Sequence, residues 1–363
     1  MRPTPEIIKK LPKVLLHDHL DGGLRVSTII DLARKERFPL PSEDPQELLA
    51  WFHRGANAGD LRLYLETFKV IYAALQTEEA LERVAYESLL DLHADNVVYA
   101  ELRFAPFFHT AKGLTHDEVM EAVLRGLRRA EGETGTRFGL IVCSMRGSQW
   151  AMPMAELAVA YRDKGAVAFD LAGDEAGNPA KKDQAAFDFC LRNNFNITIH
   201  AGEAFGAKSI WQALQYCGAH RIGHGTRLVE DFTVEEGKAV RLGTLAQYIL
   251  DKRIPLECCP GSNVQTKAVK RMCDHPIRLY FDVGLRVTVN TDNRMVTNTT
   301  VSQEYLVLHE QLGFSLDEIK EVILMGFKSA FLPYALKRAM LAEVVNELKS
   351  FKPKSLESKK EQI

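Results

Sequence analysis

The chain has 363 residues, with 46 Lys plus Arg against 48 Asp plus Glu and a formal net charge of −2. That balance argues against broad nucleic-acid binding, which needs a basic excess or stripe, and no apolar run approaches the roughly 18 residues of a membrane span. Hydrophobic residues make up 46% and charged residues 26%, which excludes wholesale disorder and predicts a core of ordinary size. The opening MRPTPEIIKKLPKV has no apolar h-region, so no signal peptide is expected. The six cysteines, Cys143, Cys190, Cys217, Cys258, Cys259 and Cys273, form no CxxC pair. They read as reduced thiols, and the compartment as cytoplasmic.

Short β-rich runs alternate with longer helical patterns along the chain. The first strand is predicted at Val14–His17. The stretch 20–96 follows, with helical patterns at Asp60–Leu75 and Glu78–Ala94. Strands at Val97–Phe104, Phe138–Cys143, Ala166–Leu171, Ile197–His200, Ile222–His224, Pro255–Cys258 and Leu285–Asn290 complete a set of eight. Helical patterns at Thr115–Glu133, Ala151–Lys164, Lys182–Asn193, Ser209–Cys217 and Ser315–Phe331 lie between or after them, the last opening on a Ser315/Glu318 capping box. Regular β–α alternation implies right-handed crossovers and a parallel sheet. Eight units predict an α/β fold, a (β/α)8 TIM barrel, with a helical insertion after strand one and extra C-terminal helices. Residues 1–349 read as one catalytic domain, 20–96 as a lid over the barrel mouth, and 350–363 as a flexible charged tail.

The chemistry-bearing residues sit where predicted strands end. Strand one runs into His17-Asp18-His19, and residues two apart on a strand share a face, so both imidazoles can converge on one ion. Strand five ends in His200-Ala201-Gly202-Glu203, strand six in His224, and strand eight in Asp292-Asn293. In a barrel these ends share one rim. Imidazoles plus a carboxylate suit Zn²⁺, with iron, cobalt or other ions as alternatives. Strand four ends in DLAGDE without a lysine that would bridge a second metal, so one ion per chain is expected. An ion there activates water for hydrolysis, with Glu203 and His224 as the flanking acid and base. Asp170 and Asp174 read as hydrogen-bond partners or surface carboxylates. His53, His93, His109, His116, His275 and His309 read as structural or exposed.

The series HDHLDGG, DLAGDE, TIHAGE, RIGHG, CCPGSN and VNTDN, in that order from about Lys13 to Leu332, resembles the adenosine deaminase family. The resemblance implies that His17, His19, His200 and Asp292 bind zinc. It implies that Glu203, protonated, hydrogen-bonds purine N1 and makes C6 more electrophilic. His224 would take a proton from the attacking water or steer its attack. His19 also borders the substrate, the Gly173 N–H would donate to purine N3, and Asp21 would bind the ribose 5′-hydroxyl; the competing reading of Asp21 is a cap on the helix beginning near Val26. Leu61, Tyr64, Leu65 and Phe68, spaced i, i+3, i+4, i+7, would form an apolar gate. The implied reaction is hydrolytic deamination of adenosine and deoxyadenosine to inosine and ammonia. The implied partner is a small purine nucleoside, with neither nucleic acid nor membrane, and the sequence leaves monomer against homo-oligomer undecided.

The chain departs from the family's usual pattern after Asp292, where Asn293-Arg294 replaces a second aspartate and, usually, a proline. An asparagine amide donates to purine N7 without needing a proton. Arg294 either meets an anionic substituent or pairs with a surface acid. The alternatives are therefore another 6-aminopurine substrate, namely aminodeoxyfutalosine, adenine or an AMP-type compound. A barrel that binds without catalysis and a two-metal amidohydrolase are the readings from other classes.

Overall fold

In the computed structural model, which describes residues 2–57 and 61–351 but not the side chains of 61–66, the β-rich runs become strands. These are β1 (Lys13–His19), β2 (Val97–Phe104), β3 (Arg137–Met145), β4 (Ala166–Ala172), β5 (Asn196–Ala201) and β6 (Arg221–His224). An antiparallel hairpin follows, β7 (Phe232–Glu235) and β8 (Lys238–Leu242), and then β9 (Leu256–Cys258) and β10 (Val287–Val289). Eight strands pair in parallel in the order β1-β2-β3-β4-β5-β6-β9-β10. All eight predicted strands are present.

The sheet closes at the β1–β10 seam. Asp18 and Asp292 form a parallel bridge there, with His19 N–H donating to the Asp292 carbonyl at 2.6 Å and Asp292 N–H to the His17 carbonyl at 3.0 Å. Lower in the seam the Asn290 side-chain oxygen accepts the Leu16 N–H at 2.9 Å. A side chain thus replaces the missing ladder bond, and closure carries Asp292 up against both histidines of β1.

The strands are buried on both faces, as a sheet wrapped by helices requires. In β2, Tyr99, Glu101 and Arg103 face the barrel interior fully buried, while Leu102 and Phe104 join the apolar layer under the helices. Helix starts follow capping chemistry. Ser315 and Glu318 form the predicted reciprocal box at Leu316–Ser329, and Thr115 with Glu118 form another at His116–Thr134. The Ala151–Lys164 pattern is realised as a helix over Ala151–Ala160 and a 3₁₀ turn over Arg162–Lys164.

Between β1 and β2 lie a 3₁₀ turn (Leu20–Gly22) and helices Val26–Glu36, Pro45–Asn57, Leu61–Ala74 and Glu78–Ala94. This segment is tied to the rim. His53 Nε2 lies 3.1 Å from the Met295 carbonyl, and the Tyr72 ring stacks on Phe108 at 4.3 Å. Of the expected gate, the side chains of Leu61, Tyr64 and Leu65 lie outside the described residues. Phe68 is partly buried with its ring 5.8 Å from Tyr72. The last described helix is Tyr334–Ser350, and residues 352–363 of the expected tail lie outside the description. Among the described residues no helix is long and apolar enough to cross a membrane.

Candidate active site

The rim assembles four potential ligands from three places in the chain. One donor atom each from His17, His19, His200 and Asp292 lie within 4.8 Å of one another. Asp292 Oδ1 is 3.5 Å from His17 Nε2 and 3.4 Å from His19 Nε2, and the Nε2 atoms of His19 and His200 are 3.2 Å apart. A tetrahedral ion with bonds of about 2.0–2.1 Å separates its ligands by about 3.3–3.4 Å. Three of the donor separations thus match those around a single tetrahedral ion, and the whole set converges within 4.8 Å. His17 Nε2 is buried with no hydrogen-bond partner, a costly arrangement unless something else occupies its lone pair.

Two of the three outward-facing nitrogens are fixed by what the ring does on its other side. His17 Nδ1 meets Glu257 at 2.9 Å, and His200 Nδ1 meets Asp170 at 3.1 Å. Carboxylates at Nδ1 hold the proton there and leave Nε2 free for a metal. Burial, helped by Arg103, lowers the His17 pKa to about 4, and burial holds His19 well below the usual range, so both rings offer lone pairs at neutral pH. Burial opposes charge on Asp292 too, but the surrounding histidines outweigh it and keep the carboxyl well below its ordinary value. The two supporting carboxylates are saturated in turn. Arg103 bridges Asp170 at 3.0 Å and Glu257 at 2.8 Å, and Arg221 and Thr198 bind the other Glu257 oxygen.

Glu203 and His224 stand beside this cluster, with Oε2 and Nε2 3.5 Å apart. The Glu203 side chain is 23% exposed and that of His224 only 1%, so one is reached by solvent and the other is closed off from it. His224 and Asp292 hold left-handed backbone, φ 62° and 61°, which costs energy for residues other than glycine. That strain aims both side chains inward from strand ends.

The loop that carries Glu203 is held by a residue sequence reasoning passed over. The Glu175 carboxylate accepts the N–H groups of Gly202, Glu203, Ala204 and Phe205 at 2.6, 3.1, 2.8 and 2.8 Å. It stands two residues after Gly173, whose φ of 91° suits glycine. DLAGDE thus couples the segment of Gly173 to that of Glu203. Asp174, by contrast, is exposed and binds its own loop through the Ala176 N–H.

Asp21 does not cap the following helix; its N-cap is Arg25, which makes no side-chain cap bond. The carboxyl is buried, its Oδ1 has no partner, and burial next to Asp18 raises its pKa to about 7. Asn293 donates from Nδ2 to Asp292 Oδ1 at 2.8 Å and tucks against Gly22, where an added Cβ would lie 1.9 Å from its Oδ1. Arg294 departs from both expectations. It neither reaches a surface acid nor stands free: its Nε binds fully buried Asp18 at 3.1 Å and its Nη2 the Ser88 hydroxyl at 2.5 Å. Asp18 has lost its solvent, and the guanidinium is the counter-charge that stabilises it.

Comparison with known proteins agrees with this geometry. A family model described as adenosine deaminase matches residues 12–347. Adenosine deaminase 1 of Streptomyces coelicolor is 48% identical over 358 residues, covering 96% of this chain and 90% of that protein. The adenosine deaminase of Mycobacterium avium is 47% identical over 353 residues, covering 94% and 96%. Among solved structures, an adenine deaminase from Arthrobacter aurescens superposes with a TM-score of 0.84 at 28% identity, covering 93% of this chain and 99% of that one. An N6-methyl-AMP deaminase from Arabidopsis thaliana gives 0.77 at 26%, covering 96% and 99%. With the family model spanning nearly the whole chain and relatives close to half identical, this chain belongs to the adenosine deaminase family.

Proposed function

We infer that the chain is a hydrolase that deaminates adenosine, and deoxyadenosine, to inosine and ammonia. The observation that carries this reading is the Glu203–His224 pair facing across 3.5 Å beside the four-donor cluster, in a chain of this family. His17, His19, His200 and Asp292 would hold one Zn²⁺ per chain, a choice supported by three imidazoles and a carboxylate whose donor atoms converge within 4.8 Å. Bound there, the ion supplies Lewis acidity that makes water a nucleophile at neutral pH.

The chain's own groups do the rest. Glu203 delivers a proton to purine N1, which draws electron density from C6. His224 steers the attacking oxygen from its buried position. The second N–H of Asn293 is available to purine N7 while the first holds Asp292. The Gly173 N–H donates to N3. The unpartnered Asp21 Oδ1 accepts the ribose 5′-hydroxyl. Phe68 would contribute to an apolar cover that excludes bulk water and strengthens these contacts.

Adenine and AMP-type substrates are the second reading, kept because the solved relatives include an adenine and an N6-methyl-AMP deaminase. Arg294 gives no support to an anionic 5′-substituent, since Asp18 and Ser88 already engage it. A small purine nucleoside remains the partner the site fits best. Five buried free thiols support a reducing, cytoplasmic compartment. The test of the reaction is Glu203→Gln, which keeps the shape of the side chain and removes its acid. Turnover of adenosine should vanish with metal content unchanged, and a rate near wild type would show that Glu203 does not carry the proton.

A further inference from the structure

His224 has two ring nitrogens, and which of them carries the proton decides what it can do. A lone pair at Nε2 would make it a base toward the reacting atoms; an N–H there makes it a donor. The sequence does not distinguish these. The packing behind the ring does.

Behind His224 lies a file of buried polar groups. His224 Nδ1 is 3.1 Å from Asn263 Nδ2. Asn263 Oδ1 is 3.1 Å from His275 Nε2 and accepts the Thr226 hydroxyl at 3.0 Å. His275 Nδ1 is 3.2 Å from the backbone nitrogen of Ile277. Asn263 is fully buried, and His275 and His224 are 3% and 1% exposed, so a mismatched donor pair has no water to relieve it.

The last member of this file has a fixed polarity. A backbone N–H can only donate, so His275 Nδ1 accepts and carries no proton. Burial pushes the His275 imidazole down to about 3, with His224 adding to the effect, so the ring is neutral and its proton sits on Nε2. His275 Nε2–H then donates to Asn263, which fixes the oxygen of that amide toward His275 and its NH₂ toward His224. The amide N–H donates to His224 Nδ1. The reverse arrangement would place His275 Nδ1–H against the Ile277 N–H, two buried donors at 3.2 Å.

We propose that Asn263 and His275 are positioning residues that hold His224 as its Nε2–H tautomer, so that it meets the reacting atoms as a hydrogen-bond donor. Of the two roles the resemblance implies for His224, this selects steering the nucleophile over taking its proton. Nε2 is the nitrogen that faces Glu203, so the donor points toward the partly exposed acid. CCPGSN thereby acquires a function beyond its Ser262 hydroxyl, which binds Asp292. The proposal rests on the deaminase reading for its catalytic meaning, but its geometry does not.

The test is two-bond ¹H–¹⁵N correlation of the histidine rings in uniformly ¹⁵N-labelled, zinc-loaded protein, with His224 assigned by its disappearance in His224→Gln. The expected spectrum shows His224 Nε2 protonated and Nδ1 bare. A proton on Nδ1, in a neutral or a doubly protonated ring, overturns the proposal without any further variant. His275→Phe keeps the volume and removes the donor. It should let the Asn263 amide turn, mix the two His224 tautomers, and lower kcat on adenosine about 10–100-fold, with KM and zinc content near wild type. An unchanged tautomer and kcat in that variant would also overturn it. The expected tautomer in a protein that does not turn over adenosine would refute the deaminase reading and leave the file of hydrogen bonds standing.

Discussion

The two faces of the His17 ring are finished differently, and the contrast extends to the whole barrel end. On the inner side, Nδ1 meets Glu257, whose oxygens are shared among Arg103, Arg221 and Thr198. Farther in, Arg221 pairs with Glu101 and lies over the Phe331 ring at 3.6 Å. On the outer side, His17 Nε2, Asp21 Oδ1 and Asn293 Oδ1 are buried without partners. The inner carboxylates are spent on holding geometry; the outer atoms are left free at an energetic cost. A folded chain tolerates such orphans where a ligand later satisfies them. Arg103 Nε, Arg221 Nη2 and Glu101 Oε2 of the inner network also lack hydrogen-bond partners, but they belong to groups already engaged in ion pairs, whereas His17 Nε2 stands in a cluster of metal donors.

The largest effect that would break this comparison is at His200. His200→Ala removes one of the four donors and should leave the protein without stoichiometric metal by elemental analysis, and without measurable turnover. Full metal occupancy would show that the outer cluster is not the site. Next comes Glu257→Gln, which leaves all four donors in place and weakens the support at His17 Nδ1 together with the ion pairs to Arg103 and Arg221. Metal affinity should fall by about 10–100-fold, read by chelator competition. An unchanged affinity would mean that the inner carboxylates do not tune the outer ones.

A smaller effect is expected at Asn293. An aspartate there must hold a proton to donate to N7, so Asn293→Asp should stay active at acid pH and lose activity as pH rises. A pH–kcat/KM profile identical to wild type would remove Asn293 from that contact.

The smallest effect on activity is expected at Glu304, and it concerns stability. Burial raises its carboxyl from the usual 4.5 to about 7, although it accepts the Gly261 N–H and the Thr299 hydroxyl. A group that titrates higher in the folded state than in the unfolded one contributes stability in full below its unfolded pKa. That contribution is lost as pH rises through the folded value. Across pH 4.5 to 7 the loss is at most about 3 kcal/mol. Glu304→Gln cannot titrate, so its melting temperature should decline less than the wild type's over this window. Parallel curves would show that Glu304 does not titrate in it.

The barrel was legible in the sequence because its strands are short apolar runs separated by helical periodicity, and local pattern suffices for that. The capping box at Ser315 was legible for the same reason. The β7–β8 hairpin was not. Its strands are largely exposed, with Val234 at 41% and Val240 at 54%, and charges interrupt the alternation. The available signal was Glu236-Gly237, whose positive φ values of 49° and 76° suit a tight hairpin turn.

In the site, His17, His19, His200, Glu203, His224 and Asp292 lie in short motifs at strand ends, and the rim brings them together. Their supports lie far off in sequence. Asp170 is 30 residues from His200 and Glu257 is 240 from His17. No spacing rule pairs such residues; only barrel closure does. Arg294 illustrates the same limit, because a buried partner at Asp18, 276 residues away, cannot be inferred from the run Asp292-Asn293-Arg294.

The most direct measurement of the central claim is ammonia release by zinc-loaded protein on adenosine, adenine, AMP and aminodeoxyfutalosine, compared by kcat/KM. The account predicts that adenosine leads, because the site offers Asp21 to a hydroxyl and no free guanidinium at Arg294. A lead for AMP or aminodeoxyfutalosine would contradict it, since an anionic 5′-group would then have to displace Arg294 from Asp18.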